Sequence, residues 1–201
     1  MELATVVVGL LAVRVVPFGF VTAPIAFALW YMSMDLTPII AGADDFEWEL
    51  RKAVSLWFGL AMLAASYVVD RRWPGGPGRD FAFWGYLFGL IAFWGGLTMM
   101  DSDSELAKFG YFLVNAGLIL AAVFLRRRAF LVFGALGCFG YLGYLAYDLF
   151  EDSALFPVAV TVAGVLVIAL GMALRHYCPG WEAAIVAAMP EGLRRLRPEE
   201  R

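Results

Sequence analysis

At 62% hydrophobic residues and a mean hydropathy of +0.77, the 201-residue chain carries more apolar surface than a soluble domain, about 45–50% apolar, can hide. Its charged residues, 16% of the total, gather between apolar runs, so the net charge of −3 says little and no continuous basic face exists for nucleic acid. Two cysteines and a single histidine supply neither a recognisable zinc site nor a bis-histidine haem site.

The first apolar segment, Leu3–Val16, is short, contains Arg14 and stops at Pro17. It reads as a short span, a half-helix or a helix lying in the membrane interface. Glu2 stands where a signal peptide would be basic, and no small-residue cleavage site follows, so the segment is expected to be retained. Phe20–Ala41 has the length to cross, about 20 residues for a core of roughly 30 Å, although Pro24, Asp35 and Pro38 interrupt it. Ala53–Val69 is slightly short but adequate. Phe81–Met100, Leu106–Leu125, Ala129–Leu149 and Ala154–Leu174 are clear candidates. The expectation is an all-α integral membrane bundle over residues 1–178, with seven transmembrane helices or six as the alternative. Three tandem hairpins of parallel orientation follow the short N-terminal segment.

Between the apolar runs the charges alternate in sign. Acidic turns occur at Asp44–Glu49, Asp101–Glu105 and Glu151–Asp152, and basic ends at Arg71–Arg72, Arg126–Arg128 and Arg175–His176. Lys and Arg in short loops favour the cytoplasmic side. That rule places twelve of the fifteen basic residues inside and twelve of the eighteen acids outside, with the N-terminus outside and the C-terminus in the cytoplasm. The loop from Arg72 to Arg79 is rich in Pro and Gly and joins two hairpins. Beyond Cys178, Pro179 and Gly180 end the last span, and residues 179–201 form an amphipathic, basic cytoplasmic tail. Its Trp181–Met189 stretch reads as an interfacial helix on the anionic inner leaflet, or alternatively as a docking segment for a partner.

Helices associate in lipid by close approach at small residues. Gly85, Gly89, Ala92 and Gly96 fall four, three and four apart and share one helix face. Gly134, Gly137, Gly140 and Gly143 recur every third residue, and Ser55, Gly59 and Ser66 make a weaker stripe. Tight packing inside one bundle is the expected use, with homo-oligomerisation as its rival. Aromatic turns, the first two of them also containing Met, precede Asp35, Asp101 and Asp148, which suggests a threefold internal repeat or convergence on interfacial belts.

Ionisable groups at membrane depth are functional candidates by default. Asp35 leads, because prolines on either side could break its helix and build an ion site beside the carboxylate. The competing reading is a solvated carboxylate at the outer interface. Asp101 and Asp148 share that ambiguity, and the mid-span Asn115 is expected to hydrogen-bond a neighbouring helix. Arg14 can snorkel inward, and His176 suits a helix C-terminus. No nucleophile–base pair, metalloprotease motif or phosphate loop is present, and the seventh segment has no Lys for a retinal Schiff base.

The stretches Ala28–Leu36, Asp80–Leu90, Asp101–Leu106 and Phe133–Gly137 resemble a family of uncharacterised bacterial polytopic inner-membrane proteins. The resemblance covers Pro17 through His176 and implies the bacterial inner membrane, but no activity. Members are often longer at the N-terminus, which would account for the brevity of Leu3–Val16. The expected function is that of a membrane-embedded binding or assembly subunit, not an enzyme, with no cofactor and no metal. Its partners would be the lipid bilayer and either a second copy or another membrane protein, with no nucleic acid. The alternative is a small cation- or proton-coupled transporter or channel using Asp35.

Overall fold

The computed structural model describes residues 1–41, 48–73, 78–100 and 104–150, with residues 158, 161–162, 164–165, 168–169, 172, 187–188 and 190. Six α-helices and one 3-10 turn occur among them, and no strand. They are α1 (Glu2–Val15), the turn Gly19–Val21, α2 (Thr22–Ala41), α3 (Trp48–Arg72), α4 (Phe83–Thr98), α5 (Glu105–Leu125) and α6 (Arg128–Phe150). Each described residue between Val158 and Met172 is also helical. The rest of the expected seventh span lies outside the described residues, as do the first two acidic turns' central residues, Glu151–Asp152, His176, Cys178 and most of the tail.

Among the described residues three helices are long and apolar enough to cross a membrane: Glu49–Arg72, Glu105–Leu125 and Arg128–Asp148. The first exceeds the expected Ala53–Val69 because its polar ends are themselves helical. At its start Lys52 pairs with Glu49 one turn away, and at its end Arg71 and Arg72 face the negative pole of the helix dipole. The fourth helix is shorter than expected, 16 residues or about 24 Å. Asp80 Oδ1 accepts the Phe83 N–H at 3.1 Å and starts the helix there. At 14 residues, α1 reaches about 21 Å, well short of the hydrocarbon core.

The helix expected to break at its prolines is continuous from Thr22 to Ala41. Pro24 stands in the first turn, where a missing N–H costs no helical bond, and Pro38 only deprives the Met34 carbonyl of its partner near the helix end.

The chain forms two compact units, one holding α1 to α4 and the other α5 and α6. In the first, α3 and α4 make the most intimate pair, α2 packs on both, and α1 leans on α2. Ile25, Ala26, Ala28, Met62, Tyr86, Leu90, Ala92 and Phe93 are buried there. Rings from the 3-10 turn and α2 interlock with those of α4, with Phe20 edge-on to Trp84 at 5.4 Å and Phe27 edge-on to Phe88 at 5.8 Å. Small residues set the α3–α4 approach. A Cβ on Gly96 would stand 2.8 Å from the Lys52 carbonyl oxygen and 2.9 Å from the Leu56 nitrogen. One on Gly59 would strike the Phe93 backbone, and one on Gly85 the Ser66 hydroxyl. The two predicted stripes therefore face each other.

At the end of this unit that holds Arg14 and Arg72, two turns are tied together. The Gly19 N–H donates to the Gly78 carbonyl at 2.8 Å, and Gly78 takes a left-handed φ of 76°. A side chain on Gly19 would collide with the Asp80 backbone. In the second unit Leu118, Ala122, Val123 and Phe130 are buried between α5 and α6. The connection is a tight turn with Arg126 left-handed at φ 55°, from which the Arg127 N–H reaches back to the Ala122 carbonyl at 3.1 Å.

Candidate functional site

The four residues singled out from the sequence fall in different settings. Asp35 is exposed on α2, and Asp148 is exposed near the end of α6. Asp101 lies outside the described residues. Asn115 is wholly buried at 0% exposure, and its Nδ2 donates to the Tyr111 carbonyl one turn back at 2.8 Å. Its carboxamide is pressed against Gly137 of α6, where a Cβ would meet all three terminal atoms of the amide. Asn115 and Asp148 belong to one unit and Asp35 to the other. Asn115 therefore serves as a packing knob with a satisfied amide, and the small residue opposite makes the room.

Charge is buried where sequence reasoning did not look. Lys52 is 4% exposed and donates to Glu49 Oε1 at 2.7 Å, while Asp70 is 3% exposed and accepts from the Tyr86 hydroxyl at 3.5 Å. Both lie on the face of α3 turned to α4. The signal was present: extending the Ser55–Gly59–Ser66 stripe by one turn in each direction reaches Lys52 and Asp70. Ser55 lies between them and donates to the Ala92 carbonyl across the interface at 2.9 Å. At the α5–α6 ends, Lys108 bonds Glu105 and the Tyr144 hydroxyl and lies 4.2 Å over the Tyr144 ring. That cluster joins the two helices.

Two cavities stand out among the described residues of the first unit. The larger, about 450 Å³, runs between all four of its helices and lies toward the Arg14 end. Leu10, Val13, Ile25, Leu29, Met62 and Val69 form much of its wall, and Trp73 and Phe81 close one end beside Arg14. Its two hydroxyl groups are engaged by backbone, Thr22 with Gly19 at 2.7 Å and Ser66 with Met62 at 2.7 Å. Arg14 is the single charged residue of the lining, is exposed, and forms no ion pair with any described residue. A volume of this size, apolar with one convergent polar group, has the character of a ligand pocket.

The smaller cavity, about 220 Å³, lies toward the opposite end between α2, α3 and α4. Trp30, Met34, Arg51, Lys52, Ser55 and Met99 border it. It exists because Gly95 projects nothing into that space, where a Cβ would find no neighbour within 4 Å. Asp35 lines neither of these two cavities, although Met34 beside it borders the smaller. Among the described residues no three His, Cys, Asp or Glu side chains gather as a metal-binding group. Compared with protein families, curated proteins and solved structures, the chain matches none.

Proposed function

We propose that this protein is a polytopic protein of the bacterial inner membrane, with six spans or seven, its C-terminus in the cytoplasm, that works as a binding subunit for a hydrophobic molecule. The observation that carries the reading is the apolar cavity of about 450 Å³ framed by α1, α2, α3 and α4. In lipid, helices gain nothing from burying apolar side chains against each other instead of against acyl chains. A pocket between them is therefore neither squeezed shut by the hydrophobic effect nor costly to fill with a chain-like guest. The same four helices offer no nucleophile–base pair around it, which favours holding over converting. The ion-coupled alternative has weaker support, because Asp35 is itself exposed, α2 is unbroken around it, and it lines neither cavity.

The test is the small-molecule content of the protein purified in mild detergent, read by native mass spectrometry. One apolar or amphipathic guest per chain is expected. Ala65, an exposed residue of α3 on the cavity wall, offers a place to fill it, and Ala65→Trp is expected to expel the guest with little effect on folding. A guest retained at full occupancy in that variant, or none in the native protein, would overturn the proposal.

A further inference from the structure

The shape and chemistry of the larger cavity narrow its guest. Its lining on α3 runs from Met62 to Trp73, and the Trp73 N–H donates to the Val69 carbonyl at 2.9 Å, so the helical path continues to that end. At the helical rise this stretch is roughly 16 Å long. Spread over that length, a volume of about 450 Å³ gives a cross-section on the order of 28 Å², room for one hydrocarbon chain.

The polar end is equally selective. Arg14 cannot lose its charge and has five N–H groups to donate. The buried carboxylate on the same stretch of α3, Asp70, accepts from Tyr86 and is not part of the lining. With an uncharged guest the exposed guanidinium gains nothing and keeps its solvent, whereas a carboxylate would meet it in the paired geometry that arginine favours.

We propose that the cavity binds a single-chain anionic amphiphile, a long-chain carboxylate, with its chain between α1 to α4 and its head on Arg14. The inference rests on the reading of the protein as a hydrophobic-ligand binder and adds the class of ligand. By the loop-charge bias, Arg14 lies at the cytoplasmic face, so the guest would come from the inner leaflet.

Trp73 lines the cavity and supplies the readout. Bromine on an alkyl chain quenches a nearby indole, and the Trp73 share of the signal is the difference between the native protein and Trp73→Phe. The full chain in zwitterionic nanodiscs is titrated with dibromostearate and with the corresponding uncharged alcohol. Dibromostearate is expected to quench Trp73 and to bind about tenfold more tightly than the alcohol. Arg14→Gln should remove that preference and leave the alcohol unchanged. Arg79→Gln, which removes an exposed charge that does not line the cavity, should alter neither. Equal affinity of the two probes for the native protein overturns the anionic assignment, and needs no variant to fold. So does an equal loss in Arg14→Gln and Arg79→Gln. In both cases Trp73 is still quenched and the binding reading stands. Failure of both probes to quench Trp73 overturns the binding reading itself.

Discussion

Asn115 illustrates how a polar side chain can look functional in a sequence and be structural in the molecule. Its position in the middle of an apolar helix marks it as an expensive group. The structure removes most of that expense by bonding its amide to the Tyr111 carbonyl and sealing it against Gly137. The contact leaves no room for a methyl group. Gly137→Ala is therefore expected to destabilise the α5–α6 pair by about 1–3 kcal/mol, the usual range for overpacking. Asn115→Ala alone would cost about 0.6 kcal/mol for the bond, plus the void it leaves. Combining the two should recover most of the loss, because the added methyl then occupies the space of the deleted amide. Unfolding measured in a mixed-micelle denaturant series gives the coupling directly, and simple additivity of the two losses would show that the residues do not meet. Lys52 and Asp70 teach the reverse: read as loop charges, they are among the most buried residues of α3.

At the scale of helices, position and type were legible, because long apolar runs and charged turns alternate clearly enough to fix where α5 and α6 begin and end to within one residue. The stripes were legible too, since a spacing of three and four can only describe one face of a helix. Which partner each stripe meets was not, because sequence spacing carries no information about the opposing surface. Gly95 and Gly96 make the point. As neighbours they look equivalent, yet Gly96 faces the Lys52 and Leu56 backbone and Gly95 faces the small cavity. Gly96→Ala should push α4 away from α3 and lower stability by about 1–3 kcal/mol. Gly95→Ala should be neutral or slightly stabilising through its better helix propensity. Equal thermal shifts for the two would argue against the observed rotation of α4. The continuity of α2 was also hidden, because the sequence shows its prolines but not that one lies in a first turn and the other near the end.

For the whole molecule, the expected topology rests on charge and is open to direct measurement. In a cysteine-free background, Glu105→Cys is expected to react with an impermeant maleimide added to intact cells, and Arg127→Cys only after the membrane is opened. The reverse labelling would invert the hairpin of α5 and α6. The cavities belong to the four-helix unit, and that unit is assembled from neighbours in the chain: α1 on α2, α2 on α3, α3 on α4. Likewise α5 pairs with α6, and among the described helices the one substantial contact between non-neighbours is that of α2 with α4. A nascent chain lengthens by only about 5–20 residues each second, which is slow compared with helix pairing. Each hairpin can therefore close soon after it is made, and the cavity framed by α1 to α4 can be complete once α4 has docked, while the later helices are still on the ribosome.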